Sequence, residues 1–212
     1  MIIFSRYFFF GAALLCIMGC GSSRISSSWA APATTYTRFE NILVVGIIND
    51  KDRRLREQME LELETGLVKL GYTACASLPM YGPKAFEGLD EKSIIQVMKN
   101  TGADAMLSIV LLDKQKERRY VPGKTINTGE FWNYLGKRYS TIYEPGYYVT
   151  DTRYFWESNF YDLRTGTLLY SSQTKSFSPE STGQLAHEYG RLVLRDLQKK
   201  HLLHYTGAAA SE

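Results

Sequence analysis

The apolar positions between residues 39 and 71 change their spacing once. Phe39–Ile48 is a mainly apolar run rich in β-branched residues, which is typical of a strand buried on both faces. From Leu55 to Leu70, leucine and methionine recur at steps of three and four, and this spacing predicts a helix with one apolar stripe. Gly71 ends that helix. The pattern therefore predicts a strand followed by an amphipathic helix.

A second strand–helix unit follows the first. The spacing predicts a short strand over 72–77, a helix over 90–100 and an apolar strand over 105–112. Strands that alternate with helices in this way pair in parallel and are joined by right-handed crossovers. We therefore expect a βαβαβ core.

The last third of the chain changes to strand-like alternation. Thr150–Asp162 and Thr167–Phe177 are predicted to be two antiparallel strands around the turn Leu163–Gly166. Ser178-Pro179-Glu180 is typical of a helix start, and apolar residues at helical spacing continue to Leu197. The expected fold class is α/β, with βαβαβ followed by a β-hairpin and a C-terminal helix. Its mixed sheet would have about five strands packed with three helices.

The segment 114–148 differs in composition from the rest of the chain. It begins with the charged stretch Lys114–Arg119 and continues with glycine, proline and aromatic residues, over a length that is uncommon for a loop in a compact domain. Tyrosine and tryptophan combine a large apolar area with a polar tip, which suits protein surfaces and glycan stacking. The candidate binding residues are Tyr120, Trp132, Tyr134, Tyr143 and Tyr147. The alternative is that these rings fold back and cover an open edge or face of the sheet.

Residues 1–19 have the layout of a secretory signal. One basic residue, Arg6, precedes an apolar run that is shorter than the roughly 20 residues needed by a membrane-spanning helix. The end of the run, Ile17-Met18-Gly19-Cys20, resembles the lipobox of bacterial lipoproteins. The resemblance implies that Cys20 is acylated, with palmitate among its acyl chains, and becomes the first residue of the mature chain. The alternative is an ordinary signal in which Cys20 has no role.

Composition also suggests how the rest of the chain is divided. Serine, alanine and threonine dominate residues 20–37, which carry almost no charge, so we expect a flexible tether between the lipid and the domain. A single α/β domain is expected over 38–205, with the aromatic-rich insert at 114–148. Residues 206–212 are small and polar and are expected to be disordered.

The charge balance and the cysteine content exclude some partners and bonds. The chain carries a formal net charge of +3, and removing residues 1–19 takes away one basic residue and no acid. A nucleic-acid partner would need a concentrated basic face, so no such partner is predicted. Apart from Cys20, the mature chain keeps only Cys75. No disulfide is therefore predicted, and the apolar segment around Cys75 favours its burial.

Three patterns that could indicate enzyme chemistry are incomplete. Gly46 follows a buried strand but lacks the further glycines of a dinucleotide-binding turn. Ser172 and Lys175 have the S-x-x-K spacing of serine acyl-transfer enzymes, but a strand would place them on opposite faces. The histidines lack converging ligands; they are His187, His201 and His204. We therefore predict no catalytic residue, no metal site and no cofactor.

One polar cluster leaves an alternative open. Asn49, Asp50, Asp52 and Asp113 lie just past the carboxyl ends of two predicted parallel strands, where open α/β sheets bind ligands. Paired carboxylates at that place could bind a divalent cation or serve a hydrolase. In the simpler interpretation, Asp50 or Asp52 caps the following helix and Asp113 is a solvated strand end.

Several short motifs resemble those of a group of uncharacterised bacterial envelope lipoproteins. They are Ile42–Gly46, Thr101–Ala105, the aromatic-rich insert and Tyr161–Gly166. The expected architecture is also similar to the small α/β domains of the TolB amino-terminal region and of the curli secretion lipoprotein. The resemblance concerns fold and location, and it implies no catalytic residue.

These resemblances imply a lipid-anchored protein of the bacterial outer membrane that faces the periplasm, since Gly21 rather than aspartate follows Cys20. The expected function is non-enzymatic: the membrane holds the lipid, and the aromatic-rich insert binds another envelope component, a protein or a glycan. One alternative is a ligand- or metal-binding hydrolase at the strand ends. The other is an oligomeric secretion or assembly factor, in which the insert enters the membrane or a neighbouring subunit.

Overall fold

A computed structural model of the protein describes most of the domain. The described residues are 22–32, 38–84, 86, 88, 97–98, 100–121 and 146–204, except for the side chain of Asp50. The fold is α/β, as predicted. None of the helices within these residues is long and apolar enough to cross a membrane.

Six strands form one mixed sheet. They are β1 (Ser23–Ala30), β2 (Asn41–Ile47), β3 (Thr73–Ala76), β4 (Ala105–Val121), β5 (Tyr147–Asp162) and β6 (Thr167–Phe177). Their order across the sheet is β1-β6-β5-β4-β2-β3. β2 pairs in parallel with β3 and β4, whereas β4, β5, β6 and β1 pair successively in antiparallel fashion. The predicted parallel unit and the predicted hairpin are therefore joined through β4.

Three α-helices lie completely within the described residues, and a 3-10 helix, Asp50–Asp52, precedes the first of them. The α-helices are α1 (Arg53–Lys69), α2 (Ser77–Tyr81) and α3 (Thr182–Lys199). α1 and α3 pack against one face of the sheet, which we call the helix face, and the opposite one is the far face. The apolar stripes of the two helices are buried against the sheet; they consist of Leu55, Met59, Leu63 and Leu67 on α1 and of Leu185, Tyr189, Val193 and Leu197 on α3. Burial of these stripes is the main source of helix stability here.

The start of the described chain corrects the predicted tether over 20–37. Ser23–Ala30 is an edge strand that pairs with β6 from Ser176 to Tyr170. The hydroxyls of Ser23 and Ser176 share a hydrogen bond of 2.7 Å. Because this end of β6 is itself rich in serine and threonine, a serine-rich strand can pair with it without the apolar alternation by which strands are recognised.

Other predicted boundaries also differ from the structure. The strand predicted over 72–77 ends at Ala76, and the short helix α2 follows it directly. The sequence predicts that β4 ends at residue 112, whereas the strand continues to Val121. The aromatic-rich insert over 114–148 therefore begins and ends as paired strand. The helix predicted over 90–100 lies mostly outside the described residues, of which 97, 98 and 100 are helical.

Two turns at the end of the sheet where β2 begins explain two of the sequence motifs. The Asp104 carboxylate accepts hydrogen bonds from the backbone N–H groups of Glu40 (2.8 Å) and Asn41 (3.1 Å). In the β5–β6 turn, the Asp162 carboxylate accepts hydrogen bonds from the backbone and the guanidinium of Arg164. Burial raises the pKa of Asp162, but these bonds and the charge of Arg164 outweigh it and hold the pKa below its ordinary value. Both motifs therefore have a structural role.

Candidate functional site

β4 and β5 extend beyond the strands on either side of them. β2 ends its pairing with β4 at Val110, and β6 ends its pairing with β5 at Arg153. Within the described part of the chain, Lys116–Val121 and Tyr147–Thr152 therefore pair only with each other. We call this two-stranded segment the ribbon. At 3.2–3.4 Å per residue, it is about 20 Å long.

One side of the ribbon is aromatic and basic. Tyr120 and Tyr148 lie directly opposite each other, with ring centroids 5.3 Å apart. The Arg118 guanidinium lies over the Tyr148 ring, 4.8 Å from its centroid. Lys116 lies on the same side, and no ion pair joins Lys116 or Arg118 to an acid among the described residues. Tyr120 and Tyr148 are 48 % and 62 % exposed, so both rings keep accessible apolar surface.

The other side of the ribbon carries paired charges. Arg119 donates to the Asp151 carboxylate at 3.1 Å, and Arg153 donates to that of Glu117 at 2.9 Å. Exposed ion pairs of this kind contribute about 0–1 kcal/mol each. Their consequence here is electrostatic, because they neutralise this side, whereas Lys116 and Arg118 on the aromatic side have no acidic partner among the described residues.

Two of the five candidate binding residues lie on the ribbon. Tyr120 and Tyr147 are at its end, on opposite sides, because Tyr120 pairs with Tyr148 while Tyr147 pairs with Val121. Tyr147 is 60 % exposed. Tyr148 is a further exposed ring that sequence reasoning missed, although it follows Tyr147 in the same tyrosine-rich stretch. The remaining candidates lie outside the described residues; they are Trp132, Tyr134 and Tyr143.

The start of the described chain lies beside the base of the ribbon. The backbone N–H of Phe177 donates to the carbonyl of Ser22 at 2.9 Å, and that of Ser178 donates to the carbonyl of Thr152 at 2.7 Å. Ser22 and Thr152 are therefore at the same end of the sheet. Cys20 precedes Ser22 by two residues, which can span at most about 7 Å. A lipid on Cys20 would consequently be attached next to the ribbon.

The carboxylates past the strand ends do not share a site. Asp52 Oδ1 accepts a hydrogen bond of 2.6 Å from Lys114 Nζ, and the Asp52 side chain does not cap α1 as the simpler interpretation predicts. Asp113 is exposed and accepts hydrogen bonds from the backbone N–H of Lys114 and the side chain of Gln115. The side chain of Asp50 is outside the described set. No group of three or more potential metal ligands occurs among the described residues.

A cleft of about 480 Å³ does lie over these strand ends. Its described lining is mainly apolar and includes neither Asp52 nor Asp113; it consists of Val45, Gly46, Ile47, Ile48, Asn49, Arg56, Pro83, Phe86, Met98, Met106 and Ser108. The arrangement that the hydrolase alternative requires, carboxylates facing a common pocket, is therefore not formed by Asp52 and Asp113.

A buried ion pair lies behind this cleft. Glu60 Oε1 accepts hydrogen bonds from Arg56 Nε (2.9 Å), Ser77 Oγ (3.0 Å) and the backbone N–H of Gly46 (2.8 Å), and Glu60 Oε2 accepts one from that of Leu78 (2.7 Å). The Arg56 and Glu60 side chains are only 7 % and 1 % exposed. A Cβ atom on Gly46 would lie 2.8 Å from Glu60 Oε1. Gly46 therefore serves close packing against a carboxylate rather than phosphate binding.

Ser172 and Lys175 are separated by the sheet. Ser172 is buried on the helix face, whereas Lys175 is exposed on the far face, as the strand alternation predicts. The S-x-x-K spacing consequently forms no catalytic pair.

Cys75 is only partly buried on β3, and burial together with the charge of Glu64 raises the pKa of its thiol.

The histidines lie on and after α3. His187 Nδ1 is 3.4 Å from Glu62 Oε2, and the rings of His201 and His204 are 6.4 Å apart. None of the three belongs to a metal-ligand cluster among the described residues.

No protein-family model matches the chain, and no curated protein matches it. Solved structures to which the chain is similar include the PelC dodecamer from Paraburkholderia phytofirmans (12 % identity, TM-score 0.43, covering 81 % of this chain and 94 % of that one). Lipoprotein GNA1162 from Neisseria meningitidis is 16 % identical with a TM-score of 0.42, covering 76 % of this chain and 99 % of that one. A putative neuraminyllactose-binding hemagglutinin homolog from Helicobacter pylori is 12 % identical with a TM-score of 0.38, covering 77 % and 85 %.

Proposed function

We propose that this protein is a non-enzymatic, lipid-anchored component of the bacterial outer membrane that faces the periplasm and binds another envelope component. The lipid is carried by Cys20. The binding surface is the end of the ribbon, with the exposed rings of Tyr120, Tyr147 and Tyr148, together with the aromatic residues of segment 122–145. The observation that carries this proposal is the exposure of three tyrosines on a ribbon that leaves the core of the domain.

Two physical arguments support a binding role for these rings. A tyrosine offers a large contact area with little side-chain entropy to lose, and rings of this kind dominate the energetics of many interfaces. The rings at the ribbon end contribute little to the core, because each is about half exposed or more. The protein therefore gains little stability from them, which favours a role in contacts with another molecule.

The position of the chain start supports the coupling of anchor and ribbon. Because Ser22 lies at the base of the ribbon, the lipid and the aromatic surface would be held at the same end of the domain. Confinement to one membrane-proximal layer raises the effective concentration of partners, so that weak contacts become sufficient. The partner we propose is accordingly a protein or glycan located close to the membrane surface.

The test replaces the three exposed tyrosines together. Tyr120→Ser, Tyr147→Ser and Tyr148→Ser should reduce recovery of crosslinked partners from intact cells by about ten-fold or more, since interface rings of this kind each contribute on the order of 1–2 kcal/mol. The melting temperature should stay nearly unchanged. Unchanged recovery with a lowered melting temperature would instead assign the rings to packing.

A matched control replaces three exposed apolar residues elsewhere, Leu61→Ser, Val68→Ser and Met80→Ser. These side chains are 53 %, 51 % and 50 % exposed and lie on α1 and α2. The control should retain its partners. Equal loss in both triple variants would contradict a specific role for the ribbon.

A second copy of this chain is the other partner that a specific observation favours. Within the described part of the chain, both edges of the ribbon lack a neighbouring strand, and unpaired strand edges are ready to pair with another chain. The oligomeric assembly alternative therefore predicts a discrete multimer of the purified protein in light scattering. A monomer at all concentrations would exclude it.

A further inference from the structure

Two cations lie side by side on the far face of the sheet, near the start of the described chain. Arg24 on β1 is the direct cross-strand partner of Lys175 on β6, and both side chains are exposed. Directly opposite positions bring Cβ atoms to about 4.5–5.5 Å, and like charges at such positions are destabilising. No acid is ion-paired with Arg24 or Lys175 among the described residues. A bound anion would relieve this repulsion.

These cations line a cleft of about 610 Å³. Its described lining contains no acid and consists of Ser22, Ser23, Arg24, Arg153, Tyr154, Phe155, Lys175, Ser176 and Phe177. Lys175 Nζ lies 5.6 Å from the centroid of the Phe155 ring, and the Arg153 guanidinium lies 5.6 Å from that of Phe177. The rings support the cations at the surface, where their N–H groups can reach a ligand.

Arg153 also lines this cleft, but its positive charge is paired with the carboxylate of Glu117. Its guanidinium donates to Glu117 at 2.9 Å, so part of its charge is already neutralised. Arg24 and Lys175 carry no such partner among the described residues and supply the net positive charge. Among the described residues, the cleft therefore offers an anion two cations without an acidic partner, in a directly opposed pair.

We infer that this cleft binds the phosphate of anionic phospholipid headgroups. The source of the anion is indicated by the chain itself, because Ser22 lines the cleft and Cys20 is only two residues away. The inference thus rests on the lipid anchor of the proposed function for its location. A basic surface next to a lipid anchor supplies a second attachment to the membrane. Basic residues at an anionic membrane surface bind its headgroups electrostatically.

The test uses the chain beginning at Cys20 with Cys20→Ser, so that no acyl chain contributes. Every contact described above is made from Ser22 onward, so this change leaves the fold intact. The protein should co-sediment with vesicles that contain phosphatidylglycerol but not with vesicles of phosphatidylcholine alone. Arg24→Gln together with Lys175→Gln should weaken binding about 25-fold, since each cation contributes about five-fold.

The matched control removes the same charge at the other end of the sheet. Lys69→Gln and Lys199→Gln alter exposed residues at the ends of α1 and α3, and the segments that follow these helices meet near Tyr72, away from Ser22. This double variant should bind vesicles like the unaltered protein. Equal weakening in both double variants, or equal binding to both vesicle types, would overturn the inference.

An acidic polysaccharide is the competing ligand. If polygalacturonate bound the unaltered protein while phosphatidylglycerol vesicles did not, the inference of a lipid site would be wrong. The outcome is separable from that of the proposed function. If vesicle binding fails while the triple tyrosine variant still loses its partner, the inference of a headgroup site is wrong and the proposed function is retained.

Discussion

Glu188 on α3 holds the first described residue of the chain. Its Oε2 atom accepts hydrogen bonds from the backbone N–H and from the hydroxyl of Ser22, at 2.8 and 2.7 Å. This contact fixes the start of β1 between α3 and the ribbon base. If Cys20 is acylated, the domain lies within two residues of the bilayer, rather than at the end of a tether over 20–37. The anchor would then orient the domain as well as retain it.

The Ser22–Glu188 contact predicts a local sensitivity to acid. Partial burial raises the pKa of Glu188, but hydrogen bonds from Ser22 and Gln184 outweigh it and hold the pKa below its ordinary value. A carboxylate with a depressed pKa in the folded state stabilises the fold above its unfolded-state pKa, and this contribution is lost as the pH falls through the folded-state pKa. The protection factors of the first β1 amides, which correct the exchange rates for the pH dependence of intrinsic exchange, should therefore fall on acidification more than those of the β2 amides.

Glu188→Gln should remove this difference, because glutamine does not titrate. Its β1 amides should have lower protection factors than in the unaltered protein at neutral pH, and these factors should change little further with acid. Glu180→Gln is the matched control, since Glu180 is an exposed acid just before α3. Identical acid profiles for Glu188→Gln and the unaltered protein would rule out this role for Glu188.

The buried pair of Arg56 and Glu60 predicts a large asymmetry between single and double variants. Glu60→Ala leaves Arg56 buried without its carboxylate and should lower the free energy of unfolding by about 3–5 kcal/mol. The double variant Arg56→Met with Glu60→Leu should lose less, because no unpaired charge remains. Urea denaturation measures both values.

An exposed pair on the same helix provides the control for the buried one. Arg53 and Glu57 have the same four-residue spacing, with side chains 58 % and 49 % exposed. Glu57→Ala should change the free energy of unfolding by less than about 1 kcal/mol. A loss for Glu60→Ala no larger than that for Glu57→Ala would contradict the network around Glu60.

The close approach of Gly46 to Glu60 gives a third prediction. Gly46→Ala places a methyl group 2.8 Å from Glu60 Oε1 and 2.9 Å from Arg56 Cγ. Such overpacking should lower the free energy of unfolding by about 1–3 kcal/mol. At Gly183, in the first turn of α3, a Cβ atom would meet nothing closer than 3.7 Å. Gly183→Ala should therefore leave stability unchanged or raise it slightly, by about 0.5–1 kcal/mol, and equal effects at the two sites would be inconsistent with this contact.

The elements that could be predicted from the sequence are those with at least one buried face. β2 is revealed by a continuous apolar run, because both its faces are buried, whereas α1, the β5–β6 hairpin and α3 bury one face, and that burial imposes the period that reveals them. β1 lacks this signal, because its serines pair with the Ser/Thr end of β6. The extension of β4 lacks it as well, since both sides of the ribbon are solvated and the charges on one side are satisfied by pairs such as Arg119–Asp151.

The candidate site could be predicted only as a composition. The tyrosines of segment 114–148 indicate a surface rich in rings, but whether Tyr120 and Tyr147 pack or stay exposed depends on where β4 stops pairing with β2. Their proximity to the chain start depends on the β1–β6 register, which has no sequence signature. Asp52 shows the reverse case: its position before α1 predicts a cap, yet the nearby Lys114 ammonium binds the carboxylate instead.

Photo-crosslinking in intact cells tests most directly whether the ribbon contacts a partner and whether this contact requires the lipid anchor at Cys20. A photoreactive amino acid is placed at position 147, at position 61 as an exposed control on α1, and at position 147 in a Cys20→Ser background. We predict a discrete crosslinked product from position 147, none from position 61, and loss of the first product when Cys20 is replaced. The same products from positions 147 and 61, or an undiminished product from position 147 in the Cys20→Ser protein, would contradict an anchored protein that binds its partner through the ribbon.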